Sequence, residues 1–273
     1  MIDTIKVANL IQTAILAGSK IIQVYNTDFS VENKEDQSPL TLADKKAHET
    51  IVESLSELYP DIPVLSEEGT EIPYSERKQW EYFWLVDPLD GTKEFVKRNG
   101  EFTVNIALIH RGYPVLGVIY APIKDCVYFA KKGLGSFMSS NVKEMKLTDD
   151  NTVILQAVKL PTTVETTNAV VASRSHMSAE TEAYIQKVSE QYGELDITTA
   201  GSSLKLCLVA EGKADVYPRF APTMEWDTAA GQAIVEQSGG KVIVAETGER
   251  VQYNKENLLN PSFIVEKKGF KLD

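Results

Sequence analysis

The chain is poor in cysteine, in basic charge and in long apolar runs. Its two cysteines, Cys126 and Cys207, lie far apart and form no CxxC pair. That spacing argues against a disulfide framework and a cysteine-based zinc site, and leaves two partly buried thiols suited to a reducing cytoplasm. Lys and Arg number 28 against 39 Asp and Glu, a net charge of −11. A general nucleic-acid binder presents a basic face to phosphates, so this balance speaks against one. A small phosphorylated ligand is not excluded, because a site can be locally positive inside an acidic protein. No run is expected to reach the ~20 apolar residues of a membrane helix, since residues 1–25 are broken by Asp3, Lys6, Asn9 and Gln12. Neither an integral membrane segment nor a signal peptide is therefore expected, and the default location is cytoplasmic.

What is present is an ordinary globular composition, 43% hydrophobic and 25% charged, which excludes disorder and collagen-like repeats. The length allows one large domain or two lobes. Ile5, Ala8, Ile11, Ile15, Gly18 and Ile22 recur at helical spacing; Ala43, Ala47, Ile51, Leu55 and Leu58 do so again, with Pro60 as a stop. The polar stretch Thr27 to Pro39 between them reads as an exposed loop. Trp80 to Val86 predicts a strand running into Asp87. Phe102 to His110 and Tyr113 to Tyr120 predict a hairpin around Arg111-Gly112, and Val127 to Ala130 a further strand. Gly133 to Ser136 reads as a turn, since it lacks the Gly-Lys-Ser/Thr ending of a phosphate loop. Thr148 to Thr152 also reads as a turn, and a boundary is placed there between an N-terminal α+β lobe (1–150) and a C-terminal α/β lobe (151–273). Beyond it, strands at Asn168 to Ala172, Leu195 to Thr199, Ala214 to Tyr217 and Val242 to Ala245 alternate with helices at Ser178 to Tyr192, Ser203 to Ala210 and Trp226 to Gln237, an α/β pattern.

The densest chemical signal is Asp87-Pro88-Leu89-Asp90-Gly91-Thr92. Two carboxylates stand three residues apart at the end of a strong strand, with Pro88 fixing one φ and Gly91 permitting a tight turn. Paired carboxylates suit hard cations such as Mg²⁺; the plain alternative is an acidic surface turn. Further acids follow apolar segments: Glu67 in Ser66-Glu67-Glu68-Gly69, Asp227 in Trp226-Asp227-Thr228-Ala229-Ala230-Gly231, and Asp44 near a helix start. Each also has a plain reading as a solvated acid or as helix-start electrostatics. His48 and His110 show no partner pattern and read as helix-face and strand-end residues.

These elements, in this order, resemble the lithium-sensitive, Mg²⁺-dependent phosphatases of the inositol monophosphatase superfamily. Residues 85–105, Gly201-Ser202-Ser203-Leu204-Lys205, Cys207 to Gly212 and Tyr217 to Phe220 are similar to its bacterial CysQ subfamily of 3′(2′),5′-bisphosphate nucleotidases. The similarity is weakest at 27–37 and 139–167. It implies a layered αβαβα sandwich, with the site between the lobes. It implies metal-binding by Glu67, Asp87, Asp90, Asp227 and the Leu89 carbonyl, holding two or three Mg²⁺. It assigns Asp44 and Thr92, with Glu67, to orienting and deprotonating the attacking water, for in-line attack without a phosphoenzyme.

The implied substrate is adenosine 3′,5′-bisphosphate (PAP), with its sulfated form PAPS for related members. Lys205 and Arg219 would hold the second phosphate. Gly91 and the Gly201 to Ser203 turn would lie along the nucleotide, and Ser173 and His176 near the base. Ser203 and Lys205 stand at a helix start, where free N–H groups favour anions, and Arg219 offers a fork for phosphate. As surface cations and a loop histidine, Lys205, Arg219 and His176 have plainer readings too. Alternatives are an inositol or sugar-phosphate phosphatase, which needs no second anion pocket, and a binding protein on a dead scaffold, which would be expected to lose one of the site acids. The subfamily is cytoplasmic, with peripheral attachment to the inner membrane in some members; no anchor is visible in this sequence.

Overall fold

A computed structural model of the chain describes residues 2–27, 39–172 and 178–272. The polar loop expected between the first two helices falls almost wholly outside these residues, as do Ser173 and His176.

Two layers of regular structure open the chain: helices α1 (Val7–Tyr25) and α2 (Pro39–Leu58), then a sheet. The sheet holds β1 (Val64–Ser66), β2 (Tyr82–Asp90), β3 (Thr103–His110), β4 (Tyr113–Ala121), β5 (Cys126–Lys131), β6 (Gly135–Ser140) and β7 (Val158–Lys159), in that spatial order. Short helices α3 (Tyr74–Arg77), α4 (Thr92–Val96) and α5 (Asp150–Leu155) interrupt it. A second, five-stranded sheet has the order β11-β12-β10-β8-β9, from β8 (Ala169–Ala172), β9 (Asp196–Thr199), β10 (Val216–Arg219), β11 (Lys241–Val244) and β12 (Phe263–Glu266). Helices α6 (Ala179–Tyr192), α7 (Leu204–Glu211) and α8 (Glu225–Gln237) complete the chain.

Period-two alternation along the strands sorts side chains into layers. On β2 and β3, Trp84, Val86, Val104, Ile106 and Leu108 face α1 and α2, while Phe83, Leu85, Ala107 and Ile109 face the interior between the sheets. Helices α7 and α8 fill that interior, and α6 covers the far side of the second sheet with Val188 against Val170, Val216 and Ile264. The layers are thus α, β, α, β, α, as expected.

Several sequence expectations sharpen. The buried stripe of α1 is Leu10, Ile11, Ala14, Ala17 and Ile21, with Ile15 and Ile22 on its flank. By length and composition α1 can cross a membrane, contrary to the expectation that no stretch qualifies. Its apolar face is instead packed on α2 and β4. The Thr148 to Thr152 turn is the start of α5: the Asp149 side chain caps it, accepting from the Thr152 N–H at 3.0 Å. β7 carries the first sheet beyond residue 150, to Lys159. The hairpin turn at Arg111-Gly112 has positive φ at both positions, 50° and 80°, as a two-residue connection requires. β12 has no clear alternating signal, because it lies between β11 and β10 and is apolar on both faces.

Candidate active site

The acidic cluster is built by strand pairing. β1 runs parallel to β2, with Ser66 beside Val86. Both strands therefore end at the same edge, and the Glu67 N–H donates to the Val86 carbonyl at 3.2 Å. Glu67 and Asp87 become neighbours although 20 positions separate them.

Asp87 and Asp90 meet for a different reason. Residues three apart on a regular strand point to opposite faces. Here Asp87 pairs with Asn105 and Asp90 with Thr103, so β2 carries one more residue than β3 across the same interval. This bulge at Pro88-Leu89 returns Asp90 to the side of Asp87. The expectation had been a turn; the motif is an extension of the strand through Asp90, and Gly91, at φ 95°, supplies the turn after it. Asp87 is 1% exposed and accepts from the Leu89 N–H at 3.1 Å. Thr92 is the exposed first residue of α4.

Asp90 also reaches the second half of the chain. Its Oδ2 accepts from the Ser203 N–H at 2.6 Å and from Asn105 Nδ2 at 3.3 Å. The Ser203 N–H was expected to be free for a ligand anion; it is spent on Asp90. Gly201 and Ser202 line the adjoining cleft. Asp227, in the first turn of α8, accepts from the Met224 N–H at 2.9 Å through Oδ2. Asp44 lies on α2, 7% exposed, and its buried Oδ1 has no hydrogen-bond partner. One turn further along, His48 Nδ1 lies 2.8 Å from Ser66 Oγ, so the histidine read as partnerless braces the end of β1 beside Glu67. His110 stacks on Tyr82 at 4.1 Å and reaches Glu81.

Electrostatics bind these acids into one unit. Burial raises the Asp87 carboxyl well above the usual range, and Asp90, Glu67, Asp227 and Asp44 add repulsion. Burial pushes Asp44 up to about 8, with Glu68 and Glu67 adding to it. Asp227 rises to about 7 from burial and the charge of Asp90. Glu67 is exposed as a residue, yet enough protein surrounds its carboxyl that lost solvation, then Asp90, push it to about 7. Burial raises Asp90 too, opposed by Lys205, Asn105 and the Ser203 N–H, which favour its charged form.

A cavity of about 590 Å³ opens beside the cluster. Asp90, Thr92 and Asp227 line it together with Lys205 and Arg219; Glu67, Asp87 and Asp44 are not on its wall. Lys205 Nζ donates to the Ser202 carbonyl at 3.1 Å, and burial lowers its pKa against the pull of Asp90. Arg219 donates from Nε to the Ala221 carbonyl and from Nη2 to the Pro222 carbonyl, at 3.1 and 3.2 Å, which fixes its fork at the cavity wall. Neither is a free surface cation.

The donor set fits a hard dication. It is all oxygen, mutually repelling and mostly buried, and Asp44 keeps an orphaned oxygen. Among the described residues no group of three or more acidic, histidine or cysteine side chains closes around one ion as a finished cage. Mg²⁺ does not require one, since it is usually held by one or two carboxylates together with waters and substrate phosphate.

The motifs singled out neither Thr103 nor Asn105 for a role, although both are buried polar groups under the site. The available signal was a pair of polar residues, two apart on one face, inside an otherwise apolar strand.

The inositol monophosphatase family model matches residues 3–270. The 3′(2′),5′-bisphosphate nucleotidase CysQ of Salmonella typhimurium is 47% identical over 258 residues, covering 93% of this chain and 96% of its own. The crystal structure of CysQ from Bacteroides thetaiotaomicron, a bacterial member of the inositol monophosphatase family, superposes with a TM-score of 0.89 at 50% identity, over 96% of this chain and 97% of that one. An inositol monophosphatase from Anabaena shares the fold, with a TM-score of 0.70 at 22% identity over 95% and 89% of the two chains. The layered fold, the acidic edge at Asp87 to Asp90 and these matches along nearly the full length agree: the chain belongs to the inositol monophosphatase family.

Proposed function

We propose that this chain is a Mg²⁺-dependent 3′(2′),5′-bisphosphate nucleotidase that removes the 3′-phosphate of PAP, giving AMP and phosphate, in sulfate assimilation. One observation carries the reading. The cavity, about 590 Å³ in volume, is lined both by acids of the cluster, Asp90 and Asp227, and by the cations Lys205 and Arg219. Such a volume is ordinary for a nucleotide-sized ligand. A monophosphate held by the acids' metal would leave Lys205 and Arg219 idle.

Glu67, Asp87, Asp90, Asp227 and the Leu89 carbonyl are the groups that would hold two or three Mg²⁺. When bound, Mg²⁺ supplies charge neutralisation for the phosphate and the leaving oxygen and acidifies water. Asp44 accepts the proton of the attacking water: its buried Oδ1 has no competing donor among the described residues. The Thr92 hydroxyl, at the entry to α4, orients that water. Lys205 and Arg219 hold the second phosphate and turn the nucleotide so that its 3′-phosphate meets Asp90 and Asp227. The buried thiols Cys126 and Cys207 suit a cytoplasmic location.

A phosphate-release panel over PAP, PAPS, AMP and inositol phosphates, with and without Mg²⁺ and Li⁺, tests the reading. The expected result is Mg²⁺-dependent, Li⁺-inhibited release from PAP; faster release from an inositol phosphate would overturn it. Lys205→Met is expected to raise KM for PAP by about 10- to 100-fold, the loss of a charge-assisted contact, while leaving weak turnover of a monophosphate unchanged. Equal losses on both substrates would remove Lys205 from the second-phosphate role.

The raised carboxyls also give the metal-free protein a pH signature. Unfolded, Glu67, Asp227 and Asp44 ionise near their ordinary values of 4.5, 3.8 and 3.8; folded, they do so near 7, 7 and 8. The folded state binds more protons at these three groups between those limits, so the site's own contribution to stability is greatest below about pH 4 and falls as pH rises to about 8. Mg²⁺ favours the ionised forms, so its stabilisation should be larger at pH 8 than at pH 5. Melting temperatures in chelator and in Mg²⁺ check this; a site contribution that makes the metal-free protein more stable from pH 5 to pH 8, absent in Asp44→Asn, contradicts the assignment.

A further inference from the structure

The turn at 201–203 has a shape its own residues do not favour. Ser202 sits at φ 45°, a left-handed conformation that costs a side chain energy. Gly201 is pressed so closely on the first half of the chain that a Cβ there would fall 2.6 Å from Glu94 Cγ and 2.7 Å from the Glu101 carbonyl oxygen. Something outside the turn must hold it.

Thr103, at the start of β3 and fully buried, is placed to do so. Its Oγ1 lies 3.1 Å from Ser202 Oγ, 2.8 Å from Ser203 Oγ and 3.1 Å from Asn105 Oδ1. Ser203 Oγ also donates to Asn105 Oδ1 at 2.8 Å, and Ser202 Oγ to the Glu101 carbonyl at 3.0 Å. Three hydroxyls therefore share five contacts but own only three protons, one each. When Ser202, which lines the cavity, turns its O–H toward a ligand oxygen, Thr103 can donate to Ser202 Oγ in its place. The side chain then stays anchored while its proton is used.

We propose that Thr103 is a positioning residue for the substrate: its buried hydroxyl ties the 201–203 turn to the strand carrying Asn105 and thereby sets substrate affinity. The inference rests on the reading of that turn as a substrate contact. Thr103 is the strand partner of Asp90, but the hydrogen bonds of its hydroxyl go to Asn105, Ser202 and Ser203, and it acts through the two serines.

The test compares Thr103→Val, which removes the hydroxyl and keeps the shape, with Thr103→Ser, which keeps the hydroxyl. Four quantities are read at saturating Mg²⁺: KM and kcat for PAP, the calorimetric Kd of AMP, and the melting temperature. In Thr103→Val, KM and the AMP Kd are expected to rise together by about tenfold, with kcat within about threefold; Thr103→Ser restores both. In a Ser202→Ala background most of the Thr103→Val effect should vanish, because the two hydroxyls act through one contact. Unchanged KM and Kd, or a loss confined to kcat, overturns the proposal. If Thr103→Val does not fold, Ser202→Ala alone carries the comparison, and an unchanged Kd there overturns it as well. Absence of PAP turnover by the unsubstituted protein would instead defeat the assigned function, which keeps the two failures apart.

Discussion

Asp90→Asn is expected to lower phosphate release from PAP by about a thousandfold at saturating Mg²⁺. The substitution is isosteric, and an amide oxygen can still accept from the Ser203 N–H that Asp90 now holds at 2.6 Å. The 201–203 turn therefore keeps its place, and the lost quantity is one negative charge among acids that repel one another. Metal-free Asp90→Asn should consequently melt at a higher temperature than the unsubstituted protein at pH 8. Lost activity with retained or raised stability separates a site charge from a structural group. Undiminished release at saturating Mg²⁺ would show that the acidic edge of β2 is not the site.

Gly117→Ala should have a large effect on stability. Gly117 lies on β4 where α8 crosses the sheet, and a Cβ there would fall 2.4 Å from the Ala230 carbonyl oxygen and 2.9 Å from the Ala230 Cα. Those are backbone atoms, so no side chain can swing aside. Overpacking of this kind costs roughly 1–3 kcal/mol, more when backbone must move; about 3 kcal/mol would lower the melting temperature by roughly 5–10 °C. Because Asp227 lies in the first turn of α8, displacing the helix also moves a residue of the proposed site. Activity should fall at temperatures where the protein remains folded. A melting temperature unchanged within a degree would show that α8 and β4 are not packed as described. The same helix meets α7 through Gly231, where a Cβ would lie 2.7 Å from Leu206, which explains the run of small residues after Asp227.

Much of this was legible in the chain because the signals are local. Ala43, Ala47, Ile51 and Leu55 repeat at helical spacing and are all fully buried. The Arg111-Gly112 turn names its hairpin because few residue pairs accept positive φ at both positions. The acids at Glu67, Asp87, Asp90 and Asp227 stood out because each follows or interrupts an apolar segment, and the order of the motifs pointed to the family. β12 escaped because a strand buried on both faces shows no alternation, and α5 because its capping residues look like a turn until the helix behind them is seen.

Composition and most of the element order were thus legible in the sequence alone, since each depends on neighbours within a few residues, and the ordered motifs singled out the acids proposed for the site. How those acids meet was decided only by tertiary structure. The bulge that turns Asp90 to the side of Asp87 depends on the register of β2 against β3. The bond from Ser203 to Asp90 spans 113 positions, and Thr103 reaches Ser203 across 100. No periodicity carries such contacts, because they arise when two sheets built from different halves of the chain close on the helices between them. The scarcity of basic charge acquires its meaning there: the acids gather at one edge, and Lys205 and Arg219 line the cavity that Asp90 and Asp227 also reach.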